Sequence, residues 1–265
     1  MHKRRGRIAA IVTMACIGLA GCVVQVPVDG NGVPVPPAPT TPAPTSPNPY
    51  PAQVPPTPVS NSPQQAAQSF VSVMRRMEPM IERECLARRT RPINCDFQFV
   101  VDDRRGQEPN AFQTIDAQGR PVIGFTLSLI AAAQNTDELA FVVGHEASHH
   151  ILNHLSQRSG AATAGAVILG GLATVYSGNP AAVETASRIG ASVGSRYYSK
   201  DWELEADYLG AIITLNAGYD PQRGARFFAR MPDPGDRILG SHPANSQRVA
   251  QVERAVADMR SGRAR

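Results

Sequence analysis

No acidic residue occurs before Asp29, whereas Lys3, Arg4, Arg5 and Arg7 crowd the first seven positions. The formal charge of +4 comes from that end: without those four, 22 basic residues face 22 acidic ones. So balanced a chain offers no electrostatic case for nucleic acid as a partner. No apolar run reaches the roughly twenty residues that a bilayer span wants; residues 8–20 and 161–176 both fall short. No internal repeat is visible, which argues against a repeat architecture. Cysteine is scarce, four in 265 residues, and no pair has zinc-ribbon spacing.

What is present at the N-terminus reads as an export signal, residues 1–21. A basic segment precedes a short apolar run, which ends in Leu19-Ala20-Gly21-Cys22. That ending resembles the bacterial lipobox and implies cleavage before Cys22, with a diacylglycerol thioether on its sulfur. Acyl chains on one cysteine anchor firmly, because each buried CH₂ adds about 0.8 kcal/mol. Val23, not aspartate, follows Cys22. In a host with two membranes the expected address is therefore the outer membrane, with the domain facing the periplasm; a host with one membrane would anchor it there.

Residues 26–63 contain fourteen prolines. Such a stretch cannot form helix or central strand, so residues 22–63 are expected to be a lipidated, extended tether, reaching on the order of 100 Å at about 3.1 Å per residue. Residues 64–265 form the expected folded domain. Cys16 leaves with the signal and Cys22 takes the lipid. Cys85 and Cys95 remain, and an oxidising compartment predicts a disulfide between them.

Phe70, Val73, Met74, Met77 and Ile81 fall at helical steps within 65–89, with Pro79 a possible kink. Residues 95–101, 110–115 and 120–125 read as strands, the last two joined by the turn Asp116-Ala117-Gln118-Gly119. These predict a small antiparallel sheet in a mainly α, α+β fold. A short helix over 127–133 precedes a longer one. Asn135 and Glu138 have capping-box spacing at its start, and Leu139, Val142, Val143, Ala147, Ile151 and Leu155 form its apolar stripe. Residues 161–176 are expected to be a buried or plug-like hairpin segment, and helices follow over 181–195, 200–217, from Pro221 and after Pro243.

The longer helix carries His145-Glu146-Ala147-Ser148-His149. Two imidazoles four residues apart share a helix face and can close on one metal ion, classically Zn²⁺. The glutamate between them is placed to take a proton from an attacking water. His150 points about 100° from His149, and His154 lies five residues on; both read as solvent-facing or packing residues. A third ligand is required. A histidine six residues after His149 is excluded, because Leu155 stands there. The alternative is Glu-x-x-x-Asp on a later helix, and Glu203 and Asp207 have that spacing. Glu203 would bind the metal while Asp207 accepts an N–H from a ligand histidine. Glu205 competes as ligand but faces some 160° away.

With these blocks assembled, the sequence resembles the HtpX-like and CAAX-protease-like zinc peptidases, in their soluble periplasmic bacterial branch. The resemblance rests on Asn110-Ala111-Phe112, Asp137-Glu138-Leu139-Ala140 leading into His145–His149, and Glu203-Leu204-Glu205-Ala206-Asp207. It continues through Ala217-Gly218-Tyr219-Asp220-Pro221 and Ser241-His242-Pro243, covering about residues 70 to 255. Ser148 departs from the glycine common before the second histidine. The resemblance implies a mainly helical gluzincin fold with a small sheet, one Zn²⁺ per chain and hydrolysis of peptide bonds. It further implies that His242 either assists the oxyanion or blocks the metal, with Tyr198 and Arg248 as other candidates for the first role. Residues near Asn110 and Phe112 would form an edge strand that pairs with extended substrate. The expected function is a lipid-anchored zinc endopeptidase acting on unfolded or misassembled envelope proteins. The alternative is an assembly or holdase factor with a latent or structural zinc site.

Overall fold

Pro63 opens the first helix, α1 (Pro63–Arg88), at a position where its missing N–H costs nothing. The residues spaced at helical steps, Phe70, Val73, Met74, Met77 and Ile81, form its buried face. The computed structural model describes residues 51, 53–59, 62–197, 199–230 and 243–264. Cys22, Tyr198 and His242 lie outside the described residues.

A disulfide joins Cys85 to Cys95, with Cα atoms 5.8 Å apart, and ties the end of α1 to the approach to β1 (Gln98–Asp102). Closing so short a loop stabilises by about 2–3 kcal/mol in the chain-entropy model. Thermal melts with and without reductant are therefore expected to differ by roughly 5–10 °C, the oxidised chain melting higher.

β2 (Ala111–Ile115) and β3 (Pro121–Thr126) pair antiparallel across the expected turn. There Gly119 takes φ +77° and the Asp116 carboxylate accepts from the Gln118 and Arg120 amides. β1, however, pairs with β3 in parallel, giving the order β1-β3-β2. The sheet is thus mixed rather than wholly antiparallel. A parallel pair needs a long crossover, and residues 103–120, which include β2, supply it. Of β3, Ile123 and Phe125 are fully buried, and Phe125 meets Phe70 of α1 edge-on at 5.1 Å between ring centroids.

Helix α2 (Leu127–Ala132) leads to α3 (Thr136–Ile151), which carries the histidine motif. Asn135 caps α3 by accepting from the Glu138 amide. The reciprocal half of the expected capping box is shifted: the Glu138 carboxylate accepts from the Gln134 amide and from Arg230. Beside it, Asp137 accepts from the Asp220 amide and Arg223. Two buried acids in the first turn also complement the helix dipole.

α3 ends before Leu155. Asn153 adopts a left-handed conformation, φ 61°, which asparagine tolerates better than most residues. The chain turns there and restarts as α4 (His154–Tyr176), which forms a helical hairpin with α5 (Pro180–Tyr197). The hairpin is held by small residues: a Cβ on Gly165 or Gly190 would run into the other's carbonyl. Contrary to expectation, this segment is not buried. Val167, Ile168, Leu172, Val175 and Tyr176 are all exposed, because glycine and alanine fill the contact face and leave the larger apolar side chains outside. Among the described residues, α4 is long and apolar enough to cross a membrane by length and composition.

The chain continues through α6 (Ser199–Asn216), α7 (Pro221–Gly224), α8 (Arg226–Arg230) and α9 (Asn245–Arg260). Gly218 (φ 85°) follows α6, and Asp220 caps α7 ahead of Pro221. α6 crosses α3 with backbone nearly touching backbone. A Cβ on Gly210 would lie 2.8 Å from the His145 nitrogen, and one on Gly144 would lie 2.9 Å from the Gly210 carbonyl oxygen. Glycine to alanine inside a helix normally stabilises by up to about 1 kcal/mol. Here the sign should reverse: Gly210→Ala is expected to cost about 1–3 kcal/mol by overpacking. Gly171→Ala, which meets nothing within 4 Å, is the stabilising control, both read by urea unfolding.

The end of the proline-rich segment docks on the folded domain before Gln64. The Val54 amide donates to the Gly218 carbonyl, the Val59 amide to the Gln134 carbonyl, and Thr57 accepts from the Thr136 amide. Val59 is buried. The non-proline residues between prolines retain the N–H groups that make this docking possible, so the folded unit extends N-terminal of Gln64.

Candidate active site

The close α3–α6 crossing brings three donors together. The Nε2 atoms of His145 and His149 lie 3.1 Å apart. The Glu203 carboxylate lies 3.5 Å from the first and 3.4 Å from the second. Tetrahedral ligands with bonds of about 2.0–2.1 Å stand about 3.3 Å from one another, so this triangle has the size that a tetrahedral ion with one open position requires. Among the described residues these three form the one group of candidate metal ligands. Glu205, the competitor, is not in the triangle.

Asp207, one turn after Glu203, is fully buried and lies 2.9 Å from His145 Nδ1. It thereby fixes that ring with Nε2 free for a metal. Arg248 of α9 grips both Asp207 oxygens, at 2.8 and 2.7 Å. Its guanidinium carbon sits 3.4 Å from the Phe228 ring centroid, and it approaches Glu203 to 3.7 Å. The sequence offers Arg248 as an oxyanion partner. The structure puts Arg248 in the cavity wall and pairs its guanidinium bidentately with Asp207.

The electrostatics follow from this arrangement. Burial by itself would push His145 down, but its hydrogen bonds to Asp207 and Glu203 outweigh burial and raise its pKa to about 9. Burial and the neighbouring His145 push His149 down to about 3. Burial would raise Asp207, yet Arg248 and His145 hold it below the usual carboxylate range. A metal ion bound at the triangle competes with protons there, because a ligand imidazole must be neutral.

A cavity of about 330 Å³ opens over the triangle. Glu146 lines it beside the three donors, and Asn110, Ala111, Phe227 and Asn245 form other parts of its wall. Phe112 does not line it. The ring covers Gly124, where a Cβ would collide with it, so the side chain serves packing. β2 is nonetheless an edge strand beside the cavity, since among the described residues β3 is its one neighbour in the sheet.

Of the two alternatives for His150 and His154, solvent-facing or packing, the structure takes packing for both. His150 is buried, with Nε2 2.7 Å from the Asn94 carbonyl, and packs edge-on against Phe97. His154 is also buried. Its Nδ1 lies 2.9 Å from His149 Nδ1, its Nε2 lies 3.1 Å from Glu205, and its ring stacks on Trp202. On a continuous helix a residue five positions on points about 140° away; the turn at Asn153 swings it back. The sequence signal was the histidine spacing itself, which makes sense only once the helix is known to break.

The sequence matches Peptidase family M48 over residues 69–256. It is 27% identical over 138 residues to the mitochondrial metalloendopeptidase OMA1 of Arabidopsis thaliana, covering 51% of this chain and 27% of that protein. It is 30% identical over 148 residues to the beta-barrel assembly-enhancing protease of Escherichia coli K12, covering 50% and 30%. The aligned region is thus under a third of the length of these curated relatives.

Proposed function

The chain belongs to peptidase family M48, and from that premise we propose that it is a membrane-anchored zinc endopeptidase that hydrolyses unfolded or misassembled envelope proteins. The observation that carries this reading is the His145–His149–Glu203 triangle with Glu146 beside it in an open cavity. Two imidazoles and one carboxylate suit Zn²⁺, which when bound supplies Lewis acidity at a scissile carbonyl and lowers the pKa of water.

The remaining steps belong to side chains. Glu146 takes the proton of the attacking water and hands it to the leaving amine. Asp207 holds the His145 tautomer, and Arg248 holds Asp207. The backbone of β2 offers an edge on which an extended polypeptide adds as a further strand, with Asn110 at the cavity wall. Pairing of that kind reads main chain more than side chains, which favours unfolded substrates. His242 is the candidate second electrophile, or an inhibitory ligand. Cys22 is the proposed lipid attachment site, and the outer membrane the proposed address. The name of the E. coli relative, a protease that enhances β-barrel assembly, is consistent with envelope work.

Metal analysis and a casein assay on the full chain test the reading. One zinc per chain and cleavage are expected; stoichiometric zinc with no cleavage of any unfolded protein counts against an endopeptidase.

A further inference from the structure

We propose that His154 is a positioning residue for the ligand His149, forming with Glu205 a relay His149–His154–Glu205 that holds His149 in its metal-binding tautomer. This rests on His149 being a metal ligand, as above. Nε2 of His149 is the atom that faces His145 and Glu203. A neutral ring that presents a lone pair at Nε2 carries its proton on Nδ1. That proton points at His154 Nδ1, 2.9 Å away, so His154 Nδ1 is the acceptor. The one proton of His154 then sits on Nε2 and is donated to the Glu205 carboxylate at 3.1 Å. With these tautomers every ring nitrogen of the pair is satisfied. The opposite assignment puts the His149 proton on the nitrogen that must bind metal.

The rest of the fold fixes the relay in place. His154 is 3% exposed and lies nearly parallel to Trp202, with an angle of 23° between the rings. The left-handed turn at Asn153 brings it round to His149. α6 thus backs both ligand histidines with carboxylates: Asp207 acts directly on His145, and Glu205 acts on His149 through an intervening imidazole. Glu203 and Glu205, two residues apart on one helix, stand on opposite sides of that helix. One faces the metal position and the other the outer end of the relay, where the Glu205 side chain is 57% exposed.

The test is zinc affinity of the full chain by chelator competition, together with the electronic spectrum of the Co²⁺-loaded chain. Outer partners of ligand histidines are typically worth 10–100-fold in affinity. His154→Phe keeps the aromatic ring but removes both hydrogen bonds. It is expected to weaken zinc binding by about 10–100-fold and to shift the Co²⁺ ligand-field bands. His154→Gln, whose amide has both a donor and an acceptor, is expected to recover most of the affinity. Glu205→Ala, at an exposed position, is expected to weaken binding by about 3–10-fold, less than the direct partner. Zinc affinity of His154→Phe within twofold of wild type, or failure of Gln to recover it, overturns the relay. If His154→Phe does not fold, Glu205→Ala decides: unchanged affinity overturns the relay and a several-fold loss supports it. A wild-type chain that takes up no metal overturns the metal-site reading and the relay with it, whereas wild-type binding with unaffected variants overturns the relay alone.

Discussion

Glu146→Gln is expected to lower casein cleavage by about 10²–10⁴-fold, the usual contribution of a general acid–base, while zinc stays at one per chain. The side chain lines the cavity but is not one of the three donors, so removing its basicity leaves the ligand set intact. Glutamine keeps the shape and the hydrogen-bonding capacity and loses the ability to accept a proton. His149→Ala, by contrast, is expected to lose both metal and activity. The same pair separates the peptidase from the assembly-factor alternative. Full rescue of a null strain by Glu146→Gln, with no rescue by His149→Ala, would favour a structural metal and sink the peptidase reading.

The second large effect is expected at Asp207, and it is first of all an effect on folding. Its carboxylate is fully buried between His145 and Arg248, which is itself buried. Asp207→Ala leaves the guanidinium with its bidentate partner gone. Breaking a buried pair from one side typically costs about 3–5 kcal/mol, a large share of a marginal stability of about 5–15 kcal/mol. Urea unfolding of the metal-free chain measures it. Asp207→Ala combined with Arg248→Met removes both charges and is expected to regain most of that stability. It should not regain zinc affinity, expected to be about 10–100-fold weaker because His145 has lost its orienting acceptor. A cost below about 1 kcal/mol for the single variant would show that Arg248 does not depend on Asp207, contrary to the distances.

Much of this site was readable along the chain because it obeys local rules. His145 and His149 share a face through the helical repeat, and Glu203 and Asp207 do so for the same reason. The buried face of α1 follows from Phe70, Val73, Met74, Met77 and Ile81, and the disulfide from having two cysteines left over. Such features depend on residues within a turn or two, or on simple counting. The β1–β3 pairing was not readable, because parallel partners here are separated by another strand. Nor was the exposure of α4: an apolar stretch looks the same whether it lies in a core or covers the outside of a glycine-packed hairpin.

The sequence by itself determined which residues could be ligands, base and orienting acid, since their chemistry and four-residue spacing are properties of the covalent chain and the helix. Only the tertiary structure decided what holds them. Gly144 and Gly210 let two helices meet closely enough for Glu203 to reach the histidines, a requirement set by what lies across the contact and written in neither helix alone. The turn at Asn153 returns His154 to His149 against the phase of a continuous helix. Arg248, some forty residues beyond Asp207, becomes its partner through the packing of α9 against α6. Each of these depends on distances across the fold, which no periodicity within one segment encodes.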